Sequence, residues 1–227
     1  MASLRGRPKL IVGVRSRSAR DRLLKAVRTL LLERNFESIT STLVLKRAGV
    51  ARNTLYHHFG SLQELLNTAL VMNFSTGAWR SLTMVRVALS QSSSAIDFQR
   101  RIMSIISATQ SNERFRFRVE RCRLVVYATR DEAFHKALSA EQDNISDEFT
   151  KIFTAVRTKG WSAGRMTARE AAVFVQALTL GKLIDDLAGR KMKPQEWARM
   201  FTVAIETAIF GNAAPPSKGR AHKSRSN

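Results

Sequence analysis

A chain of 227 residues with 44% apolar residues can bury a sizeable core, and its single cysteine, Cys122, excludes an intrachain disulfide. Lys and Arg number 38 against 18 Asp and Glu, a formal charge of +20, which points to a polyanionic partner. No run approaches the roughly 18 consecutive apolar residues of a membrane span, and the basic N-terminus is not followed by a signal-peptide apolar core, so no membrane partner and a cytoplasmic location are expected.

The four prolines leave long uninterrupted windows, and an all-α protein is expected. The charge is unevenly placed: residues 1–60 carry 13 Lys/Arg against 3 Asp/Glu, half of the whole excess. Binding to nucleic acid through that end would release counterions and weaken steeply with salt.

Residues 1–18 read as a disordered basic arm. Within it, Arg5-Gly6-Arg7-Pro8-Lys9 resembles an AT-hook core, in which Arg5 and Arg7 would enter a narrow minor groove; an unspecific basic arm is the other reading. Ala19 to Arg34 predicts an amphipathic helix, with Leu23, Ala26, Val27, Leu30 and Leu31 on one face. Thr40 is an expected N-cap for a helix over Ser41–Ala48, because its hydroxyl can accept from first-turn N–H groups. Gly49 suits the left-handed position that ends it. A second helix is expected over Ala51–Phe59. It turns Leu55 and Phe59 to one face and leaves Arg52, Asn53, Tyr56 and His57 on another. Arg and Asn reach guanine and adenine edges with two hydrogen bonds. Two helices, a glycine turn and a polar second helix describe a helix-turn-helix.

At Ala48, Gly49, Val50, Leu55, Tyr56, His58, Phe59, Glu64 and Leu65 the chain resembles the DNA-binding motif of the TetR family of bacterial transcriptional regulators. Leu62, Asn53 and Leu45 depart from the usual lysine, glycine and alanine of that pattern. The resemblance implies a three-helix DNA-binding domain followed by a helical ligand-binding and dimerisation domain. It also implies that Tyr56 and His57 hold phosphates. With Thr40, Ala51, Thr54 and His58, the residues Arg52, Asn53, Tyr56 and His57 form the expected DNA surface, joined by Arg5 and Arg7 of the arm.

Ser61 and Glu64 suggest a capping box for a helix running to about Gly77, long enough to leave the DNA-binding domain. Residues 82–112 predict further helix, interrupted at Ser90–Ser94. In Asn112–Arg130 the alternation of Arg and Phe could suggest a strand, but no other strand exists to pair with it. Arg114, Arg118 and Arg121 also fall at i, i+4, i+7 on a helix, read here as a solvated basic face with two aromatics buried; a lining for an anionic ligand is the alternative. A long helix with Phe134, Leu138, Ile145, Phe149, Ile152, Phe153 and Val156 inward follows over Asp131–Lys159. Thr167 caps the next, to Gly189, with Glu170 completing a capping box, and Pro194 opens the last, to Phe210. Both are apolar on more than one face and need a second partner, most simply another copy of the chain. Residues 213–227 read as a disordered basic tail.

The expected domains are therefore a basic arm at 1–18, a helix-turn-helix domain at 19–66, a ligand and dimer domain at 67–211 and a tail at 212–227. Phe98, Met103, Phe115, Tyr127, Phe149 and Phe153 are the expected lining of a pocket for a small apolar or amphipathic effector, with no cofactor. Phe174, Leu178, Gly181 and Trp197 are the expected dimer contacts. Adjacent residues on a helix diverge, so His57–His58 is not a metal site, and Asp185–Asp186 reads as a polar helix end rather than a catalytic pair. No phosphate-binding loop or catalytic constellation is present, so an enzyme is not expected. The expected function is a homodimeric, ligand-responsive repressor on palindromic double-stranded DNA. The alternative is an architectural protein of AT-rich DNA that senses nothing.

Overall fold

The computed structural model describes residues 18–108 and 112–211. Among these residues the chain is helical and without strands: α1 (Ala19–Glu33), α2 (Ser41–Ala48), α3 (Arg52–Phe59), α4 (Leu62–Gln91), α5 (Ala95–Ala108), α6 (Asn112–Ala128), α7 (Glu132–Thr158), α8 (Ala168–Leu187) and α9 (Pro194–Ile205), the last continued by a π-helical turn, Glu206–Phe210. The backbone divides into two compact units, the first ending at Leu70 and the second beginning at Val71. The expected arm and tail, with Arg5 and Arg7, lie outside the described residues.

The first unit forms because each short helix has a hydrophobic stripe and a local stop. Leu23, Ala26, Val27 and Leu30 of α1 recur at helical spacing and are buried with Val44, Ala48, Leu55, Leu65, Leu66 and Ala69. Ser18 caps α1, its hydroxyl accepting from the Asp21 N–H at 3.2 Å, and the Thr40 hydroxyl accepts from Leu43 N–H at 3.4 Å. Gly49 ends α2 at φ 61°, ψ 43°, where its N–H meets the Leu45 carbonyl at 2.9 Å. A Cβ at that left-handed position would cost about 1–2 kcal/mol.

In the second unit α7 packs along α8, α6 lies against both, and α5 lies on α9. Phe134, Ile145, Phe149, Ile152, Phe153 and Val156 are the buried stripe of α7. Thr167 and Glu170 form a reciprocal capping box at the start of α8. The start of α4 is also side-chain capped, the Ser61 hydroxyl accepting from the Glu64 N–H at 3.0 Å. The expected end of that helix at Gly77 is corrected: α4 runs through Gly77 to Gln91 without a break. A glycine inside a helix costs only about 1 kcal/mol, which packing overrides, and the real stop is the serine run from Ser92 to Ser94. The π turn after α9 was not expected. Its last carbonyls are taken by the loop before α8, where Ala163 N–H donates to Phe210 O and Gly164 N–H to Ile209 O, both at 3.1 Å. No helix among the described residues is long and apolar enough to cross a membrane.

Candidate DNA-reading surface and ligand cavity

The α3 helix is fixed by one side chain and offers the rest outward. Leu55 is fully buried, while Ala51, Arg52, Asn53, Tyr56, His57 and His58 are exposed and Thr54 is half-buried. Arg52 lies across Tyr56: its guanidinium carbon is 5.6 Å from the ring centroid, and Nη2 is 3.3 Å from the phenol oxygen as its donor. This contact holds the exposed guanidinium close to the helix. His57 and His58 meet edge to face at 5.1 Å. Among the described residues no group of three potential metal ligands occurs. Thr40, also exposed, spends its hydroxyl on the α2 cap.

Two side-chain contacts hold the turn against α1. Arg22 donates to the Gly49 carbonyl at 3.3 Å, and Arg47 pairs with Glu33 at 2.5 Å. The Arg47 hydrogen bond keeps the Glu33 carboxyl below its ordinary range.

The second unit holds a partly open cavity of about 140 Å³. Phe98, Phe149 and Phe153 line it, together with Phe74, Gly77 and Val85 of α4, Ile102, Ile105 and Ile106 of α5, and Phe201 and Ile205 of α9. Phe98 meets Trp161 at a tilt and Phe210 edge to face, both with ring centroids 6.1 Å apart. The structure places three expected lining residues elsewhere. Met103 accepts a hydrogen bond from the Thr202 hydroxyl through its sulfur at 2.9 Å. Tyr127 packs on Phe134 at 5.0 Å and donates to Asp131 at 3.4 Å. Phe115 is half-buried away from the cavity, and Phe117 takes the place expected of it. Phe117 is the aromatic that shares a helical face with Arg114, Arg118 and Arg121, since i, i+3, i+4 and i+7 fall together.

That face overturns the reading of the α6 arginines as a solvated one: Arg114, Arg118 and Arg121 all line the cavity. Arg114 donates to the Gly77 carbonyl at 3.1 Å. Arg118, 4% exposed, donates to Asp186. Arg121 lies over the Phe74 ring at 4.2 Å and donates to Gln142 at 2.8 Å. Burial pushes the Arg121 guanidinium below its ordinary range, although a guanidinium remains charged at neutral pH. Gln142 in turn donates to Ser146 and Gln176, both at 2.9 Å, and Gln176 reaches the cavity.

Asp185 and Asp186 stand in the last turn of α8. Their side chains are only 11% and 12% exposed. Lys182 bonds both, at 3.2 and 3.0 Å, and the Met192 N–H donates to Asp185 at 2.9 Å. That last bond is the main reason the Asp185 carboxyl is held below its ordinary range. Neighbouring carboxylates diverge on a helix, yet a lysine three and four residues earlier reaches both, and sequence spacing offers that signal.

Of the expected dimer contacts, Trp197 is buried in its own chain, with the Lys182 ammonium 5.0 Å above its ring. Phe174, Leu178 and Gly181 are half-buried. The exposed stripe of α8 is instead Val173, Ala177, Leu180, Ile184 and Leu187, alternately four and three residues apart, with Met200 and Val203 exposed on α9. Cys122 is half-buried.

A family model described as bacterial regulatory proteins of the tetR family matches residues 23–69. The HTH-type transcriptional regulator AlkX of Mycobacterium tuberculosis (strain ATCC 25618 / H37Rv) is 48% identical over 46 residues, 20% of this chain and 22% of that protein, so the chain spans under a quarter of that relative in the match. A TetR-family transcriptional regulator from Mesorhizobium loti MAFF303099 shares the fold at TM-score 0.63 and 12% identity, over 86% of this chain and 96% of its own. A transcriptional regulator from Saccharomonospora viridis, solved in complex with choline, does so at TM-score 0.57 and 17% identity, over 84% and 97%. The sequence match to the tetR family of bacterial regulatory proteins falls on the helix-turn-helix, and the fold shared with a TetR-family regulator extends through the helices beyond it.

Proposed function

We propose that the chain is a transcriptional repressor that binds a palindromic operator as a homodimer and releases it when a small apolar or amphipathic molecule occupies the cavity. The observation that carries the DNA reading is α3, anchored by Leu55 and presenting Arg52, Asn53, Tyr56, His57 and His58 outward. One such helix covers too few base pairs for tight specific binding, and a two-fold pair doubles the contacts. Thr40, Ala51 and Thr54 flank this row, and Arg5 and Arg7 would add contacts from the arm.

Support for the dimer is the unpartnered stripe of α8, spaced as in helices that pack on other helices. Support for the effector is the cavity, apolar over most of its wall with a few polar groups, as ligand sites are. The choline complex of the Saccharomonospora viridis regulator is a precedent for a small molecule in this fold. Helix α4 supplies Leu65, Leu66 and Ala69 to the first unit's core and Phe74, Gly77 and Val85 to the cavity wall. Occupancy of the cavity thus acts on a helix that the DNA-reading unit is built on. A differential affinity worth about 1–3 kcal/mol is enough to switch such a protein.

Selection from random double-stranded DNA with the full chain tests the reading. A palindromic consensus with half-sites about 10 base pairs, one helical turn, apart is expected. Enrichment of AT-rich sequence without symmetry would instead make the chain an architectural binder.

A further inference from the structure

We propose that the effector carries an anionic head, a carboxylate on a small aromatic or aliphatic body, and that Arg121 receives it; this rests on the ligand-responsive reading above. The cavity wall is chemically lopsided. Among the described residues that line it, three are arginines and none is acidic. Arg118 has its counter-charge in Asp186, on the side of the Lys182 network. Arg121 differs. Among the described residues its side chain donates one hydrogen bond, to the neutral Gln142, and rests on the Phe74 ring. A guanidinium has five N–H donors in one plane, so a second ligand fits its fork without breaking the contact to Gln142.

A charge held beside an apolar cavity without a counter-ion is unfavourable, and a carboxylate entering the cavity relieves that while accepting charge-assisted hydrogen bonds. Arg114, two helical turns away and bonded to the Gly77 carbonyl, adds to the same positive field. Gln176, joined to Arg121 through Gln142, is a neutral part of the same wall. The remaining wall, Phe98, Ile102, Ile106, Phe149, Phe153 and Phe201, suits a hydrocarbon body. The volume of about 140 Å³ resembles that of engineered cavities of about 150 Å³ that admit benzene, so the body is small. An organic cation meets repulsion at this wall.

Calorimetric titration of the full chain with 3-phenylpropionate, 3-phenylpropanol and 3-phenylpropylamine separates the possibilities, because the three differ in the head group alone. The acid is expected to bind about tenfold tighter than the alcohol, in line with hydrogen bonds to charged groups, and the amine weakest. Arg121→Gln is expected to erase the preference for the acid over the alcohol, and Arg121→Lys to retain part of it. Equal binding of acid and alcohol, or tightest binding of the amine, overturns the anionic head and leaves the ligand-responsive reading standing. Binding of none of the three, nor of octanoate or octanol, overturns that reading and the head assignment together. The wild-type comparison decides the matter even if the Arg121 variants do not fold.

Discussion

Arg118 of α6 donates from Nε to Asp186 of α8 at 2.8 Å, and both side chains are almost out of solvent, at 5% and 12% exposure. This pair ties the helix bearing the cavity's arginines to the helix bearing the exposed apolar stripe. Removing one partner leaves a buried charge uncompensated, which costs about 3–5 kcal/mol, whereas replacing both by apolar groups of similar volume is often neutral. Asp186→Ala is therefore expected to lose about 3 kcal/mol in urea denaturation, and Arg118→Met with Asp186→Leu to recover most of it. A loss below about 1 kcal/mol for the single variant would show the pair to be solvated in practice.

Arg52 stands on α3 with Tyr56 as its support. If it pairs with a base edge, Arg52→Ala costs about 1–3 kcal/mol of operator affinity and relaxes selection at one position of each half-site. Tyr56→Phe is expected to weaken all sequences evenly, because a phosphate contact carries no sequence information. Competition binding against operator and scrambled DNA distinguishes the two. An unchanged ratio for Arg52→Ala would remove it from base reading.

Ile184, 81% exposed, is the most exposed large apolar residue of the α8 stripe. A glutamate there would place a charge against its own symmetry mate in any two-fold contact through this face. Ile184→Glu is expected to sediment as a monomer at micromolar concentration and to lose operator binding, while Ile96→Glu, exposed to 70% on α5, is not. A dimeric Ile184→Glu protein would move the interface to another face.

Among the described residues three carboxyls are held below their ordinary range: Glu33 by the hydrogen bond from Arg47, Glu170 by the Thr167 N–H and then its hydroxyl, and Asp185 by the Met192 N–H. Each is lowered in the folded chain, so the stability it contributes is complete above the ordinary carboxylate range and is lost as pH falls through the lowered values. Melting temperature is expected to be flat near neutrality and to fall as pH drops below about 5. Glu170→Gln, which removes one of these groups, should shallow that fall. A profile unchanged by the substitution would assign the acid sensitivity to other groups.

What the sequence determined by itself is what short-range chemistry controls. The Ser41–Ala48 helix, its glycine stop, the outward row of α3 and the Thr167 capping box each depend on residues within about four positions of one another, so their pattern is visible without the fold. The helical reading of the alternating Arg-Phe segment drew on local spacing and on the lack of a second strand in the sequence to pair with it. Tertiary structure decided what that segment faces. A row of arginines reads as solvated by default, because buried charges are costly, and only the approach of Asp186 from 68 residues away makes Arg118 tolerable inside. The aromatic that enters the cavity, Phe117 rather than Phe115, was settled by the rotation of α6 about its own axis, which depends on where α7 and α8 lie. Trp197 was likewise assigned to its own core by Lys182, and the role of an unpartnered face passed to Leu180, Ile184 and Leu187. Helix existence is local; the face that a helix buries is a property of its neighbours.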